Sequence, residues 1–318
     1  AAYVATVGVG LGCLESPNGY TGADANYAPF TIFDSQGAVQ GGFGPIWAMA
    51  THSHSTYHSL QASAGQTSLR YGLGFQASYT FSKPIDDPSA VLGGMLGANS
   101  GTQLQTTPQD PRNRAAEKAP STFDIAHTFT FSAIQELPLP RLLPAFPRRA
   151  TAGWQFLGMG SFMTGAPFTV YSGIQQTGAG SNNADRPDAA GTPVLSTSRT
   201  VREDYFGLGS RNASLFMIPI GVPGGTGPNQ GRFGTLGRNT FRGPGFHSVD
   251  FALIKNTPIG PRHNPDRIAM QYRLEVFNAL NLVNFSLPAN IVLGPGFGLI
   301  NRTAGPSRQI QMSLKLLF

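Results

Sequence analysis

The densest run of potentially reactive side chains is Thr51-His52-Ser53-His54-Ser55-Thr56-Tyr57-His58, which holds three of the six histidines. Side chains alternate along an extended chain, so His52 and His54 share a face, and His58 joins them if the strand runs on. Three imidazoles placed this way could hold zinc or copper. A polar strand end would show the same pattern. No carboxylate or cysteine lies nearby in sequence, so that plainer reading is preferred; the trio stays a metal candidate and no metal site is assigned.

Other motifs point to less. Asp86-Asp87 and Asp110 could act as paired carboxylates for acid–base work or calcium, but as loop charges they are more simply solvated. Gly8-Val9-Gly10-Leu11-Gly12 and Gly294-Pro295-Gly296-Phe297-Gly298 are glycine-rich. A nucleotide loop needs a strand before it and a helix after it, and neither is followed by a helical pattern. The single cysteine, Cys13, excludes a disulfide framework or a cysteine-based zinc site within one chain. No Ser/His/Asp or Cys/His constellation has a structural context. The sequence therefore supports no enzyme activity and implies no cofactor.

The elements that must position these residues are strands. Helical periodicity is almost absent, while period-two alternation is frequent. Leu73, Phe75, Ala77, Tyr79 and Phe81 lie on one face, opposite Gly74, Gln76, Ser78, Thr80 and Ser82. Ile268, Met270, Tyr272, Leu274 and Val276 oppose Gln271, Arg273 and Glu275. At the chain end Ile310, Met312, Leu314, Leu316 and Phe318 oppose Gln309, Gln311, Ser313 and Lys315. With weaker repeats, eight strands are expected near 1–12, 54–65, 69–82, 123–137, 154–171, 247–257, 267–278 and 308–318.

Composition says what surrounds them. The 318 residues suffice for one or two ordinary domains or one large barrel. Only 12% are charged, against about 25% in a soluble domain, so much of the surface need not be in water. The net charge is +6, but Lys and Arg are scattered singly, so nucleic acid is not expected. No run approaches the length of a transmembrane helix. The opening Ala1-Ala2-Tyr3-Val4 has no initiator Met or leader pattern, and reads as if cut from something longer.

The gaps between the expected strands are about 41, 3, 40, 16, 75, 9 and 29 residues, alternately long and short. Transmembrane β-barrels have this asymmetry, with short periplasmic turns and long outer loops; a soluble sandwich has no reason for it. The expected class is therefore an all-β, antiparallel, up-and-down transmembrane barrel. Its long outer loops would span about 13–53, 83–122, 172–246 and 279–307. Gln271, Arg273, Glu275 and Lys315 should then face the lumen, because Arg or Lys facing lipid at mid-bilayer costs roughly 2–4 kcal/mol. Tyr79, Phe81 and Phe318, read as strand ends, would belong to an interfacial aromatic girdle.

Several stretches carry a family resemblance. They include Tyr57-His58-Ser59-Leu60-Gln61, Gly74-Phe75-Gln76-Ala77-Ser78-Tyr79-Thr80-Phe81-Ser82-Lys83 with Asp86-Asp87, and Asp110-Pro111-Arg112-Asn113 with Phe123-Asp124-Ile125-Ala126-His127. Further along come Gly153-Trp154-Gln155, Gly165-Ala166-Pro167-Phe168 and Gly237-Arg238-Asn239-Thr240-Phe241-Arg242-Gly243-Pro244-Gly245-Phe246. Glu275-Val276-Phe277-Asn278-Ala279-Leu280-Asn281 and Arg308-Gln309-Ile310-Gln311 complete the series. Together they resemble the barrel of Oar-like TonB-dependent outer-membrane receptors. The resemblance implies a 22-stranded barrel, a plug domain, a TonB box and energised import of a bulky ligand. On it, this chain corresponds to the C-terminal part of the barrel, a fragment with the plug missing.

The implied partners are outer-membrane lipid, TonB through that missing plug, and an unknown extracellular ligand recognised chiefly by 172–246. Arg273, Glu275 and Lys315 could pair across strands, contact a plug or simply be solvated. The ending Ile310, Met312, Leu314, Leu316 and Phe318 resembles the signal read by the barrel-assembly machinery. Two alternatives stay open: a self-contained small barrel acting as passive channel or adhesin, and a secreted all-β binding protein.

Overall fold

The computed structural model describes residues 1–18, 29–36, 39–43, 46–87, 108–110, 112–174, 185–189, 205–206, 215–219, 232–260 and 268–318. Eight long strands dominate: β1 (Ala2–Asn18), β2 (Ile46–Arg70), β3 (Leu73–Asp86), β4 (His127–Glu136), β5 (Trp154–Met163), β6 (Phe246–Pro258), β7 (Ala269–Phe277) and β8 (Gln309–Leu317). They form one sheet in chain order, and every long pairing is antiparallel. All eight are the strands expected from the alternation. Among the described residues β1 and β8 each pair on one side only.

The boundaries differ from expectation in instructive ways. β4 starts at His127, because Phe123 and Asp124 form a turn in which the Asp124 N–H donates to Ser121 O at 2.9 Å. β5 stops at Met163, ahead of Gly165-Ala166-Pro167. β1 and β2 run further than expected, through Asn18 and from Ile46, so the first outer loop is shorter than 13–53. β3 itself runs on to Asp86, so Tyr79 and Phe81 lie within it, not at its end. Arg267 lies outside the described residues.

The connections keep the asymmetry read from the gaps. One end has the two-residue turn Tyr71-Gly72, with φ of 56° and 80°, which suits the twist of a tight hairpin. The same end has a link through two four-residue helices, Leu139–Leu142 and Arg148–Thr151, and the short connection from Pro258 to Ala269. The other end carries all the long segments. No helix among the described residues is long and apolar enough to cross a membrane.

In-register neighbours sort the wall into two faces. One row reads Phe75, Ala133, Gly158, Phe251, Val276 and Ile310; the next reads Phe156, Leu253, Leu274 and Met312. These apolar rows are solvent-accessible, with Phe75 40% and Met312 66% exposed. The opposite face lines a concavity of about 370 Å³ with Gln76, Ser78, Thr130, Ser132, Ser161 and Asp250. A wall with its oily side outward and its polar side inward is made for lipid outside and water within. The main buried apolar cluster lies in the long loops, where Phe168, Val170, Phe206, Phe216, Phe241 and Phe297 pack together.

Candidate functional site

The long loops build a dense polar lattice over their end of the sheet. At its centre is Glu117, from a single 3-10 turn, Arg114–Glu117. Arg186 grips this carboxylate with two parallel hydrogen bonds, of 2.8 and 2.9 Å, and both side chains are at most 3% exposed. Gln109 closes a ring: its N–H donates to Glu117 (3.0 Å) and its side-chain carbonyl accepts from the Arg186 N–H (2.6 Å). Arg238 donates to the Glu117 backbone carbonyl (2.9 Å) and reaches Asp86 at the end of β3 (2.5 Å). Arg242 pairs with Asp124. Such buried pairs hold together only when their remaining donors and acceptors are matched, and here backbone carbonyls do much of the matching.

Asp86, Asp124, Arg238 and Arg242 belong to stretches that carry the family resemblance, whereas Gln109, Glu117 and Arg186 do not, and none of their contacts is legible in the sequence. The expectation that Asp86 is a solvated loop charge is overturned: it is 4% exposed and ion-paired. Asp87 instead accepts from the His54 N–H at 2.7 Å. Asp110 accepts from the Arg112 N–H at 2.9 Å, a local turn. Gly165 shows why that motif needs glycine, since a Cβ there would lie 1.7 Å from the Gly243 carbonyl oxygen. Gly294–Gly298 forms turns with no helix after it, as expected.

The aromatic core beneath the lattice also shifts ionisation. Complete burial pushes the Tyr171 hydroxyl up to about 12, against which a hydrogen bond with Thr169 works. Burial does the same to Tyr205, also to about 12, and its hydroxyl donates to the Arg242 carbonyl. At the surface, Arg232 holds the Asp188 carboxyl below the usual carboxylate range.

The histidine trio is not brought together. His52 hydrogen-bonds Glu15, His54 lies 3.9 Å from Asp87, and His58 Nδ1 lies 2.6 Å from the Tyr3 hydroxyl. What gathers is different: Cys13, Glu15 and His52 place their donor atoms within 4.8 Å of one another. Cys13 stands here beside a carboxylate and an imidazole, a neighbourhood that was not expected of the single cysteine. The missed signal is pairing, since Glu15 is 37 residues from His52 and only the β1–β2 ladder joins them.

The expected lumen residues share one face. Gln271 stands opposite Lys315, Arg273 opposite Ser313 and Glu275 opposite Gln311. Arg273 bonds Glu275 on its own strand at 3.2 Å, not across the ladder, and Gln271 donates to Asn256 at 2.8 Å. On the other face of the last pair, Ile310, Met312, Leu314 and Leu316 stand opposite Val276, Leu274, Tyr272 and Met270.

The wall's two faces, its one-sided loops and its capped end are the geometry of an outer-membrane barrel. A family model described as "Outer membrane beta barrel domain" matches residues 1–311. The chain belongs to that family. The barrel's place is the outer membrane, and the wall described above is its lipid-spanning part. A comparison with curated proteins finds no match. On the barrel's outward face, Tyr79 lies 2.7 Å from His127 Nδ1, repeating the Tyr3–His58 pair. Phe129, Phe162 and His247 continue this aromatic belt.

Proposed function

We propose that this barrel is the wall of a TonB-dependent, Oar-like receptor that takes up a bulky ligand, without enzyme activity. The observation that carries this reading is that, among the described residues, β1 and β8 each pair on one side only. In lipid every backbone N–H and C=O must be paired within protein, so a wall whose first and last strands do not meet needs further strands. Further strands are what a 22-stranded receptor barrel has. TonB would act through a plug domain, and the ligand would meet the loops, chiefly 172–246. Of that stretch, 175–184, 190–204, 207–214 and 220–231 lie outside the described residues. The barrel-assembly machinery would read Ile310, Met312, Leu314, Leu316 and Phe318.

The competing reading is a small closed channel, since eight strands can close by themselves. Cysteines at Tyr3 and Met312, both on the outward face, in a Cys13→Ser background, separate the two. On the receptor reading the pair does not crosslink, and the chain shows no steady conductance in planar bilayers. Efficient crosslinking together with an open conductance would overturn it.

A further inference from the structure

We infer that Cys13, Glu15 and His52 form a binding site for a zinc-like divalent cation at the loop end of the β1–β2 ladder. The inference stands apart from the uptake reading. Two irregularities in the ladder build the site. Val9 pairs with His54 and Leu11 with Ser53, which leaves Gly10 as an extra residue on β1. Leu11 pairs with Ser53 but Cys13 with Ala50, which leaves an extra residue on β2 beside His52. Bulges of this kind re-aim side chains and recur next to functional sites. Gly10 has a φ of +69°, left-handed backbone that favours glycine.

The donors suit the metal. A thiolate, a carboxylate and an imidazole are the three ligand types zinc accepts, with a fourth position left for water or another donor. Cys13 is buried and lies 3.9 Å from the Glu15 carboxylate oxygen that His52 also contacts. Arg114 reaches the same oxygen at 3.2 Å, so the carboxylate is already drawn to positive charge and a cation must share or displace it. His52 and Arg114 line a cavity of about 300 Å³ with His54, Asp87 and Lys118, which provides an access path.

The test is titration of the full chain in detergent with Zn²⁺ and then Co²⁺, before and after EDTA. One Zn²⁺ per chain should bind with a stoichiometric calorimetric signal, and EDTA should abolish it. Co²⁺ should give a thiolate-to-metal charge-transfer band that Cys13→Ser abolishes. Glu15→Gln and His52→Ala should each weaken binding about tenfold or more, whereas His54→Ala should not. Absence of both the calorimetric signal and the band in the unmutated chain overturns the site, and needs no variant to fold. Binding lost with His54→Ala but kept with His52→Ala overturns it equally.

Discussion

Glu117 is the residue on which most of the loop lattice converges. Its carboxylate takes two bonds from Arg186 and one from the Gln109 N–H, and its carbonyl takes another from Arg238. Truncating one partner of a buried pair strands the other charge, which costs about 3–5 kcal/mol. Arg186→Ala should therefore loosen the cap by that order while leaving the wall strands intact. Hydrogen exchange at the Gln109 and Leu236 amides should rise sharply, with the β5–β6 amides unchanged. The phenols give a second prediction at this scale. Tyr171 and Tyr205 ionise near 12 when folded and near 10 when free. Between those values the folded cap holds protons that the unfolded one has lost. Their contribution to stability is thus complete below about pH 10 and is lost as pH rises through 12. Ultraviolet titration should show Tyr171 and Tyr205 among the late-ionising phenols, with one fewer such phenol in Tyr205→Phe.

At the scale of elements, period two survives because each wall strand faces lipid on one side and water on the other. That contrast is written residue by residue, so all eight strands and their order were legible. The lattice was not, because its contacts depend on long-range pairing: Arg238 meets Asp86 152 residues away. The bulges beside Cys13 and His52 were equally hidden, since a register shift leaves no mark in composition. His52, His54 and His58 looked like a set for that reason, whereas the ladder gives each a different partner. Face assignment can be tested directly. Leu274 sits on the apolar face between Leu253 and Met312, while Gln311 stands on the polar face opposite Glu275. Leu274→Arg should destabilise the wall by about 2–4 kcal/mol if it lies near mid-bilayer. Gln311→Arg should change stability little or raise it slightly. Urea unfolding in vesicles, followed by gel migration, would measure both.

For the molecule as a whole, the ordinary globular arrangement is turned around: apolar side chains cover the outside of the wall, and a buried apolar core sits in the loops. Such a chain must reach its membrane before its oily face finds another partner, and on the reading proposed above β8 would serve that step as well as pairing. Phe318 separates the two roles. It is 98% exposed and follows Leu317, the last residue of β8. Removing an exposed side chain with so little contact changes stability by about 0.5 kcal/mol or less. A purely structural Phe318 therefore predicts that Phe318→Ala folds into detergent and assembles in cells as the unmutated chain does. An address read by the assembly machinery predicts a split. Folding in detergent should be unchanged, while the protease-resistant amount in the outer membrane should fall several-fold. Ser313→Ala, a neighbouring change that leaves the apolar alternation intact, should show no such split. Equal losses in detergent and in cells would mean that Phe318 acts through stability, and the recognition role would then have to be abandoned.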